Sequence, residues 1–554
     1  MARASIGRRE TLGGILALTI VGLLARLFAL GFRVMHWDEG RVGYWILRYM
    51  ESGIWEYRAI LHGPFLFHVN KYVFEIFGAT DFTARLIVAL VGGGLPLVPW
   101  LFREHLERIE QLAASGFLAL NPVLLYYSRF MRNDVLVAGF SLLAVALFVR
   151  LWDTGRTRYL YGGVFFLALA FTTKEIVLVY LAVWIGAAAL LLDHRLFAAR
   201  ERGDRWQAEA FDYLGKIYRW GRRNWIPLVI ALLEFLLVVI FMYAPRPDLY
   251  QALGNPARLP GVVQAATQGS WEKLVDLWVK GGHAHSYVAF LTDALKRTAY
   301  TSLPLAAFAV IGFVVDRYSG DRPRDVVSFS FYWGFAIFLI YPAITDISAA
   351  WSLVHPIVPL AIPAAVGIRL VVDRGLEAHA QTDWIGVALA SLVILAVVGQ
   401  IGVTAIETSY RSPQDESNPL VQFGQPGGYM HETLSDVERI AQEHEGGPDV
   451  RFYGKHFYIP NESVKEQFPS HPDWLNRMPL PWYLERGNAN VNSTTNIQNV
   501  TGEAPVIIAR AKHYAAIERR VAGYSDETYE LTATDTETVF FIDRSYLNET
   551  SGPS

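Results

Sequence analysis

The sequence contains no cysteine, and this absence removes several kinds of chemistry at once. Without thiols the chain has no disulfide framework, no thiolate metal site and no cysteine nucleophile. Cysteine content therefore does not indicate whether the protein is in an oxidising or a reducing compartment. The net charge is also small, because 49 basic residues nearly balance 52 acidic ones and leave a formal net charge of -3. A nearly neutral chain gives no reason to expect a nucleic acid as partner.

Several motifs of soluble enzymes are missing as well. No Gly-rich loop ends in Lys-Ser/Thr, so ATP-driven transport by this chain is not expected. There is no Gly-x-Ser-x-Gly elbow, and no histidine or carboxylate set has the spacing of a zinc site. The usual serine hydrolase and zinc enzyme chemistries therefore find no support.

Long apolar segments are what the sequence does have. Hydrophobic residues make up 52% of the chain, which is high for a soluble protein. Residues 12–34 follow three arginines and exceed the ~20 apolar residues that a spanning helix needs. The sequence predicts an α-helical polytopic membrane protein with about 11 transmembrane helices. The ten spans after the first are expected at 82–102, 111–128, 134–152, 159–173, 176–193, 225–243, 300–316, 326–344, 351–372 and 384–405; residues 159–193 also allow a different division.

Positive charge between the spans predicts the orientation. The Arg/Lys-rich connection 194–224 is expected on the cytoplasmic side together with the N-terminus. The loops 36–81 and 244–299 and everything beyond residue 405 then lie outside. We therefore predict a plasma membrane protein with a transmembrane domain over 1–405 and an extracytoplasmic domain over 406–554.

The C-terminal region has the pattern of a soluble α/β domain. A helix is predicted over 433–443 and strands over 450–453, 505–509 and 538–542. Residues 407–554 carry 22 acidic against 12 basic side chains. The sequence pattern Asn-x-Ser/Thr occurs four times in this region and nowhere before it, which fits an exterior location, at Asn461, Asn492, Asn499 and Asn548.

An acidic pair, Asp38 and Glu39, stands directly after the first apolar segment. Apolar residues at helical spacing follow it up to Gly53, which indicates a helix lying in the membrane interface. Charged residues also stop membrane helices, and Asp38 could simply cap the next helix. Carboxylates at the membrane edge are functional candidates by default, so we take the pair as candidate catalytic residues.

Further polar residues are predicted on the same outer side. His62 lies in the turn His62-Gly63-Pro64, where it could bind a phosphate or relay a proton, although a loop histidine is often only solvated. Arg129, Arg132 and Asp134 form a charged hairpin between two spans. Arginines anchor helix ends, and they also bind phosphate oxygens in a bidentate way.

Lys174 and Glu175 interrupt an apolar stretch of more than 30 residues. Such a pair is costly in a membrane unless it is paired or faces a cavity, and the two residues could simply satisfy each other. His355 opens the tenth span on the same side and either packs there or caps the cavity. Together with the earlier residues, these three complete the candidate substrate-binding set.

These motifs together resemble the GT-C membrane glycosyltransferases, a class that includes protein O-mannosyltransferases and aminoarabinose lipid A transferases. The resemblance rests on the order of the acidic pair, the histidine-proline turn, the Arg-x-Asp hairpin and the Thr-Lys-Glu junction. More narrowly, 36–40, 128–134 and the tail with Trp482-Tyr483-Leu484 look like the archaeal flippase activity-associated proteins of N-glycosylation. The mannosyltransferases show His-Pro-Pro where this chain has His62-Gly63-Pro64.

The resemblance implies inverting transfer of a sugar from a polyprenyl (dolichyl) phosphate to a lipid, glycan or protein acceptor on the outer face. It assigns acid/base catalysis to Asp38 with Glu39 as companion, and it maps the acidic residue of the family's second outer loop to Asp134. Contacts with the donor phosphate map to Arg129, Arg132 and Lys174. No cofactor is expected; oligosaccharyltransferase relatives use a divalent metal, but this chain offers no clear ligand set for one. The alternative that the narrower family suggests is a non-catalytic component that assists flipping of dolichyl-phosphate-linked sugars. A purely structural membrane protein would leave the charged cluster unexplained.

Overall fold

The computed structural model describes residues 7–201, 206–279, 286–318, 323–345, 347–462, 472–532 and 536–548. The chain forms two compact units. The first consists of Met1–Phe28, Glu56–Leu66 and Ile87–Arg411, and the second of Ala29–Trp55, Phe67–Leu86 and Ser412–Ser554. The domain boundary expected near residue 406 stays a prediction. The second unit also takes in two N-terminal stretches.

Among the described residues, seven helices are long and apolar enough to cross a membrane. Tyr287–Thr301 and Leu303–Tyr318, which meet at 98°, make an eighth if they form one broken span. Thr157–Phe171 and Val177–Asp193 are shorter apolar helices. The seven are Arg8–Leu27, Asp81–Phe102, Asp134–Thr154, Trp225–Tyr243, Asp325–Ile344, Ala350–Ala380 and Trp384–Arg411.

The predicted span 111–128 is not one continuous helix. It divides into Arg108–Leu120 and Pro122–Tyr127, with Asn121 between them in a non-helical conformation. Pro122 disfavours the helical conformation of the preceding residue, and the Asn121 side chain accepts hydrogen bonds from the backbone N–H groups of Val123 and Leu124. Neither part has the ~20 residues of a spanning helix, so the predicted count of 11 is not confirmed.

The long helix Val354–Ala380 packs closely against Leu303–Tyr318 in the first unit. A Cβ atom added at Gly312 would lie 1.9 Å from the carbonyl oxygen of Pro363, and one added at Gly367 would lie 2.4 Å from that of Phe308. Small residues that let two backbones approach are typical of helix packing in membranes. The remaining helical segments of this unit are Ala59–Leu61, Val177–Glu201, Trp206–Arg223, Asp248–Gly254, Pro256–Arg258, Leu259–Gln264, Ala265–Gly269, Ser270–Leu274 and Val275–Val279.

The second unit contains a sheet in which the structure describes five strands in the order β2-β1-β3-β5-β4. β1 is parallel to β2 and β3, whereas β5 is antiparallel to β3 and β4. The predicted strands correspond to β1, β3 and β5. β2 and β4 were not predicted because both are polar edge strands without a buried alternating face. The strands are β1 Val450–Tyr453, β2 Val491–Thr494, β3 Val506–Arg510, β4 Ser525–Glu530 and β5 Glu537–Ile542.

Short helices accompany this sheet. The predicted helix 433–443 is confirmed as His431–Glu443, and the helix predicted after the acidic pair is confirmed as Trp37–Ser52. Gly53 ends the latter in the left-handed conformation, with φ of 69°, as the sequence indicated. The other described helical segments with residues in this unit are Phe65–Phe77, Asp81–Gly94, Pro472–Leu475, Leu480–Arg486, Ile497–Asn499, Ala511–His513, Tyr514–Glu518 and Ser545–Asn548.

Candidate functional site

The acidic pair occupies the first turn of the helix Trp37–Ser52. His36 caps this helix, because its Nδ1 accepts a hydrogen bond from the backbone N–H of Asp38 at 3.0 Å. The Glu39 carboxylate accepts in return from the His36 backbone N–H at 2.9 Å, which completes a capping box. Carboxylates in the first turn are also favoured by the helix dipole. Both acids therefore have local reasons to lie where they do.

Glu39 is enclosed in an ion-pair cluster within the second unit. Arg33 Nη2 lies 2.7 Å from its Oε2, and Arg85 donates to both carboxylate oxygens at 2.9 and 3.1 Å. Its side chain has no exposed surface. Burial alone would raise the pKa of Glu39, but the charges of Arg33 and Arg85 outweigh it and hold that pKa far below its usual range. Glu39 is thus an ionised carboxylate shielded from solvent.

Asp38 has a different environment from its neighbour. Its side chain is 25% exposed, and Arg41 Nη2 lies 3.4 Å from its Oδ1. The guanidinium of Arg41 in turn lies over the Trp37 ring, 4.5 Å from the centroid. Of the two acids, Asp38 is the one whose carboxylate can reach a molecule from outside the protein.

The first unit brings four predicted site residues together around one carboxylate. Asp134 begins the helix Asp134–Thr154 and is buried. Lys174 Nζ lies 2.6 Å from its Oδ1, Arg132 Nε 3.1 Å from its Oδ2, and His355 Nε2 3.2 Å from its Oδ1. These residues come from three distant parts of the sequence. Their convergence forms a buried cluster that we call the Asp134 cluster, consisting of Arg132, Asp134, Lys174 and His355.

Aromatic side chains surround the Asp134 cluster. The Tyr180 hydroxyl lies 2.6 Å from His355 Nδ1, and the Tyr341 hydroxyl lies 3.4 Å from Lys174 Nζ. Arg132 lies over the Trp351 ring at 3.6 Å from the centroid. These three aromatics cannot be recognised as site residues from the sequence, because an aromatic residue in an apolar helix has the pattern of ordinary core packing.

Arg129 contacts the C-terminal end of the helix Arg8–Leu27. Its Nη1 donates to the carbonyl oxygens of Ala25 and Arg26 at 3.2 and 3.0 Å. Its guanidinium also lies 4.8 Å from the Tyr410 ring centroid. A cation that satisfies the last carbonyls of a helix stabilises that end, so the contacts of Arg129 support a helix-anchoring role.

His62 and Glu175 form a second polar group in the same unit. His62 Nδ1 lies 2.9 Å from Glu175 Oε2, and the Tyr57 hydroxyl donates to Glu175 Oε1 at 2.8 Å. The His62 ring stacks on Trp278 with the centroids 5.8 Å apart. Burial would raise the pKa of Glu175, but its contacts with His62 and Tyr57 lower it. Lys174 and Glu175 therefore each have a partner elsewhere rather than satisfying each other.

The predicted site residues thus lie in both compact units. Asp38 and Glu39 belong to the second, whereas the seven remaining candidates belong to the first. The cavity expected to unite them stays a prediction. Among the described residues, no group of three or more His, Asp or Glu side chains is arranged to hold a metal ion. Transfer without a resident metal likewise remains an expectation from sequence.

Comparison with solved structures identifies the fold as that of GT-C membrane glycosyltransferases. ArnT from Cupriavidus metallidurans in the apo state is 16% identical, with a TM-score of 0.55 over 98% of this chain and 99% of that one. The same protein bound to undecaprenyl phosphate gives a TM-score of 0.53. The oligosaccharyltransferase AglB from Archaeoglobus fulgidus, in complex with an inhibitory peptide and a dolichol-phosphate, is 12% identical, with a TM-score of 0.52 over 96% of this chain and 74% of that one.

Two family models match separate parts of the sequence. Residues 430–543 match the C-terminal domain of the Agl23 flippase-associated protein. Residues 61–202 match dolichyl-phosphate-mannose-protein mannosyltransferase, a range that contains His62, the Arg129–Asp134 hairpin and the Lys174-Glu175 pair. No curated protein sequence matches the chain. The protein is therefore a membrane-embedded chain of GT-C fold, and its residues 430–543 are similar to the C-terminal domain of the Agl23 flippase-associated protein.

Proposed function

We propose that this protein is an inverting membrane glycosyltransferase. It moves a sugar from a polyprenyl (dolichyl) phosphate to an acceptor on the outer face, in the assembly of N-glycans or surface glycans. The observation that carries this proposal is the Asp134 cluster, in which Lys174 and Arg132 converge on a buried carboxylate in a membrane protein of GT-C fold. Buried ionisable groups in such a setting are energetically costly, so they are candidates for a functional role.

The Asp134 cluster suits a phosphate leaving group. Arginine and lysine side chains bind phosphate oxygens through charge-assisted hydrogen bonds, which are strengthened where water is excluded. Asp134 orients both cations, and the Tyr180 hydroxyl fixes the ring of His355 from its other nitrogen. As the bond between the anomeric carbon and the phosphate oxygen breaks, Arg132 and Lys174 stabilise the negative charge that grows on the phosphate.

Asp38 supplies the base in this proposal. It accepts the proton of the acceptor hydroxyl while the hydroxyl oxygen attacks the anomeric carbon, and the polyprenyl phosphate departs from the opposite face. Its partly exposed carboxylate suits this role better than that of Glu39, which is enclosed by Arg33 and Arg85. Glu39 then positions the start of the helix on which Asp38 stands.

His62 contributes to substrate binding in this proposal. Glu175 accepts a hydrogen bond at Nδ1 of the ring and so directs Nε2 away from the carboxylate. A neutral histidine whose Nδ1–H is held by a carboxylate has Nε2 available to accept a hydrogen bond from a sugar hydroxyl, and a ring that carries both protons can donate from Nε2 to a phosphate oxygen. The stacked Trp278 restricts the ring further.

One observation favours a second function. The C-terminal region matches a flippase-associated domain rather than a transferase domain. A GT-C fold that binds a lipid-linked sugar without transferring it could assist movement of that lipid across the bilayer. In that case the Asp134 cluster would bind the same phosphate, and Asp38 would not accept a proton.

The Asp38→Asn substitution separates the two functions. Purified protein is reconstituted in vesicles with labelled dolichyl-phosphate sugar, and transfer to acceptor and outward movement of the lipid are measured in parallel. We expect transfer to fall by at least ~100-fold, the usual contribution of a general base, while movement of the lipid persists. Glu51→Gln, at an exposed position of the same helix, serves as the matched control.

Unchanged transfer in Asp38→Asn would refute the assignment of the base. Two results together would instead support the flippase-associated function. Asp38→Asn would lose lipid movement, and the unsubstituted protein would show no transfer.

A further inference from the structure

A polar cleft lies beside the edge strand β2 of the second unit, and none of the nine candidate site residues lines it. Its volume is about 290 Å³, close to the lower end of the ~300–1,000 Å³ typical of ligand pockets. Every described residue that lines it has a polar side chain. The lining includes Arg451, Asn492, Gln498, Asn499, Thr501 and Glu503.

The cleft forms where one face of the sheet changes from apolar to polar. On this face Tyr453, Ile507 and Phe541 pack in a buried apolar cluster. Towards the edge, Arg451 on β1 lies opposite Asn492 on β2 in the parallel register. Because β2 has a paired strand on one side only, its polar face borders solvent rather than another apolar layer.

Arg451 forms the floor of the cleft and makes hydrogen bonds to several of the other lining residues. Its Nε donates to Asn492 Oδ1 at 3.0 Å, and its Nη1 donates to Thr501 Oγ1 at 3.5 Å and to the carbonyl oxygen of Asn499. Its Nη2 lies 3.1 Å from Glu503 Oε2, so the guanidinium charge is balanced by a carboxylate. The side chain of Arg451 is only 8% exposed. The guanidinium of Arg451 is thus held by hydrogen bonds, and its charge is balanced by Glu503.

We propose that this cleft binds a neutral glycan. Small-molecule pockets are usually lined mainly by apolar groups, whereas this one presents amides and hydroxyls, which both donate and accept hydrogen bonds. Such a lining matches a ligand whose surface is mostly hydroxyl groups. Since Glu503 already balances Arg451, the cleft favours an uncharged sugar over an acidic one. This site is separate from the transfer reaction, and the binding it provides requires neither Asp38 nor the Asp134 cluster.

Two of the lining residues are potential N-glycosylation sites. Asn492 and Asn499 each begin an Asn-x-Ser/Thr pattern, and a sugar attached to either amide would occupy the cleft itself. The Oδ1 of Asn492 is held by Arg451, and Asn499 Nδ2 donates to Thr494 Oγ1 at 3.3 Å. We therefore expect both asparagines to be unmodified in the isolated protein. Mass spectrometry of the peptides that contain them tests this expectation. An attached glycan at either position would overturn the proposal.

Binding is tested on the full-length protein in lipid nanodiscs by saturation-transfer NMR. The probes are maltose, cellobiose and mannobiose as neutral sugars and glucuronic acid as the charged one. The variant Gln498→Leu/Thr501→Val removes two exposed polar groups of the rim. Gln442→Leu/Thr528→Val makes the same changes at exposed positions of the same unit outside the cleft and serves as the control.

We expect saturable binding of at least one neutral sugar, weakened about tenfold or more in the cleft variant by the loss of two hydrogen-bonding groups. The control variant binds like the unsubstituted protein, and thermal unfolding confirms that both variants are folded. Absence of saturable neutral binding, equal binding by the cleft variant, or preference for glucuronic acid would each refute the proposal. No lipid-linked donor is present, so the outcome is independent of the proposed transferase activity.

Discussion

Adjacent residues of the same chemical type can have opposite environments. Asp38 and Glu39 are neighbours in sequence, yet the first is partly exposed and the second is enclosed by Arg33 and Arg85. The difference comes from the helix, since successive positions point about 100° apart around its axis. The two acids look equivalent in the sequence, but in the structure the carboxylate of Asp38 is accessible and that of Glu39 stabilises the fold.

Replacing Glu39 is expected to destabilise the protein strongly. Glu39→Gln leaves the buried guanidiniums of Arg33 and Arg85 without their carboxylate, and breaking a buried ion pair typically costs about 3–5 kcal/mol. We expect a large decrease in the thermal unfolding midpoint of the purified protein. Glu51→Gln, whose carboxyl is mostly exposed, is the control and should leave the midpoint nearly unchanged. A small effect of Glu39→Gln would show that the arginines find other partners.

The carboxylate of Glu39 also makes the stability of the folded protein depend on pH, in a direction that its pKa determines. Its folded-state pKa is below the value of an unfolded glutamate, about 4.3, so its contribution to stability is fully present above that pH. As the pH falls from about 4.3 towards the lower folded-state pKa, this contribution is lost. The difference in stability between the unsubstituted protein and Glu39→Gln should therefore narrow below about pH 4.3.

At the scale of elements, the helix Trp37–Ser52 depends on two glycines. A Cβ atom at Gly40 would lie 2.6 Å from Cβ of Pro479, and one at Gly43 would lie 2.5 Å from the Trp482 ring. Positions three apart share one face of a helix, so both glycines face the helix Leu480–Arg486 and the proline before it. The close approach of these elements requires the absence of side chains there.

Gly43→Ala is therefore expected to destabilise the packing of this helix. Trp482 is fully buried and cannot move aside easily, and overpacking of this kind typically costs about 1–3 kcal/mol. Gly116→Ala provides the contrast, because among the described residues nothing lies within 4 Å of a Cβ at that helical position. There the better helix propensity of alanine should stabilise by up to about 1 kcal/mol. Thermal unfolding of both variants measures the difference, and equal midpoints would contradict the packing argument.

At the scale of the whole molecule, the second unit is assembled from three separate stretches of the chain. Asp81 connects two of them, since its carboxylate accepts hydrogen bonds from Trp482 Nε1 at 2.9 Å and from the Tyr483 hydroxyl at 2.7 Å. Arg486 Nη1 lies 3.2 Å from the same carboxylate. The region after residue 411 thus folds together with residues that precede most of the membrane helices.

The isolated fragment 412–554 is accordingly expected to fold poorly. Without 29–55 and 67–86, the buried rings of Trp482 and Tyr483 become exposed and lose their hydrogen-bond acceptor. We expect rapid proteolysis of this fragment around 472–486 and a broad thermal transition. A fusion of 29–86 to 412–554 through a flexible linker should restore protection. A sharp, cooperative transition of the fragment alone would show that it is an independent domain.

The prediction from sequence was strongest for elements with a long, regular pattern. The apolar helices, the helix ending at Gly53 and the buried strands β1, β3 and β5 follow from periodicity and end signals, which depend on neighbours in the chain. The polar strands β2 and β4 and the break at Asn121-Pro122 were missed. In those segments the local pattern was weak, and pairing or packing with distant residues determined the structure.

The sequence by itself determined that this is a membrane protein with charged residues in otherwise apolar surroundings, because hydropathy and the cost of buried charge are properties of local composition. Only the tertiary structure decided what each charge is paired with. Lys174 pairs with Asp134 rather than with the adjacent Glu175, and Glu39 pairs with two arginines while Asp38 remains accessible. The reason is that ion pairs depend on distances of a few ångströms, which the fold sets between residues far apart in the chain.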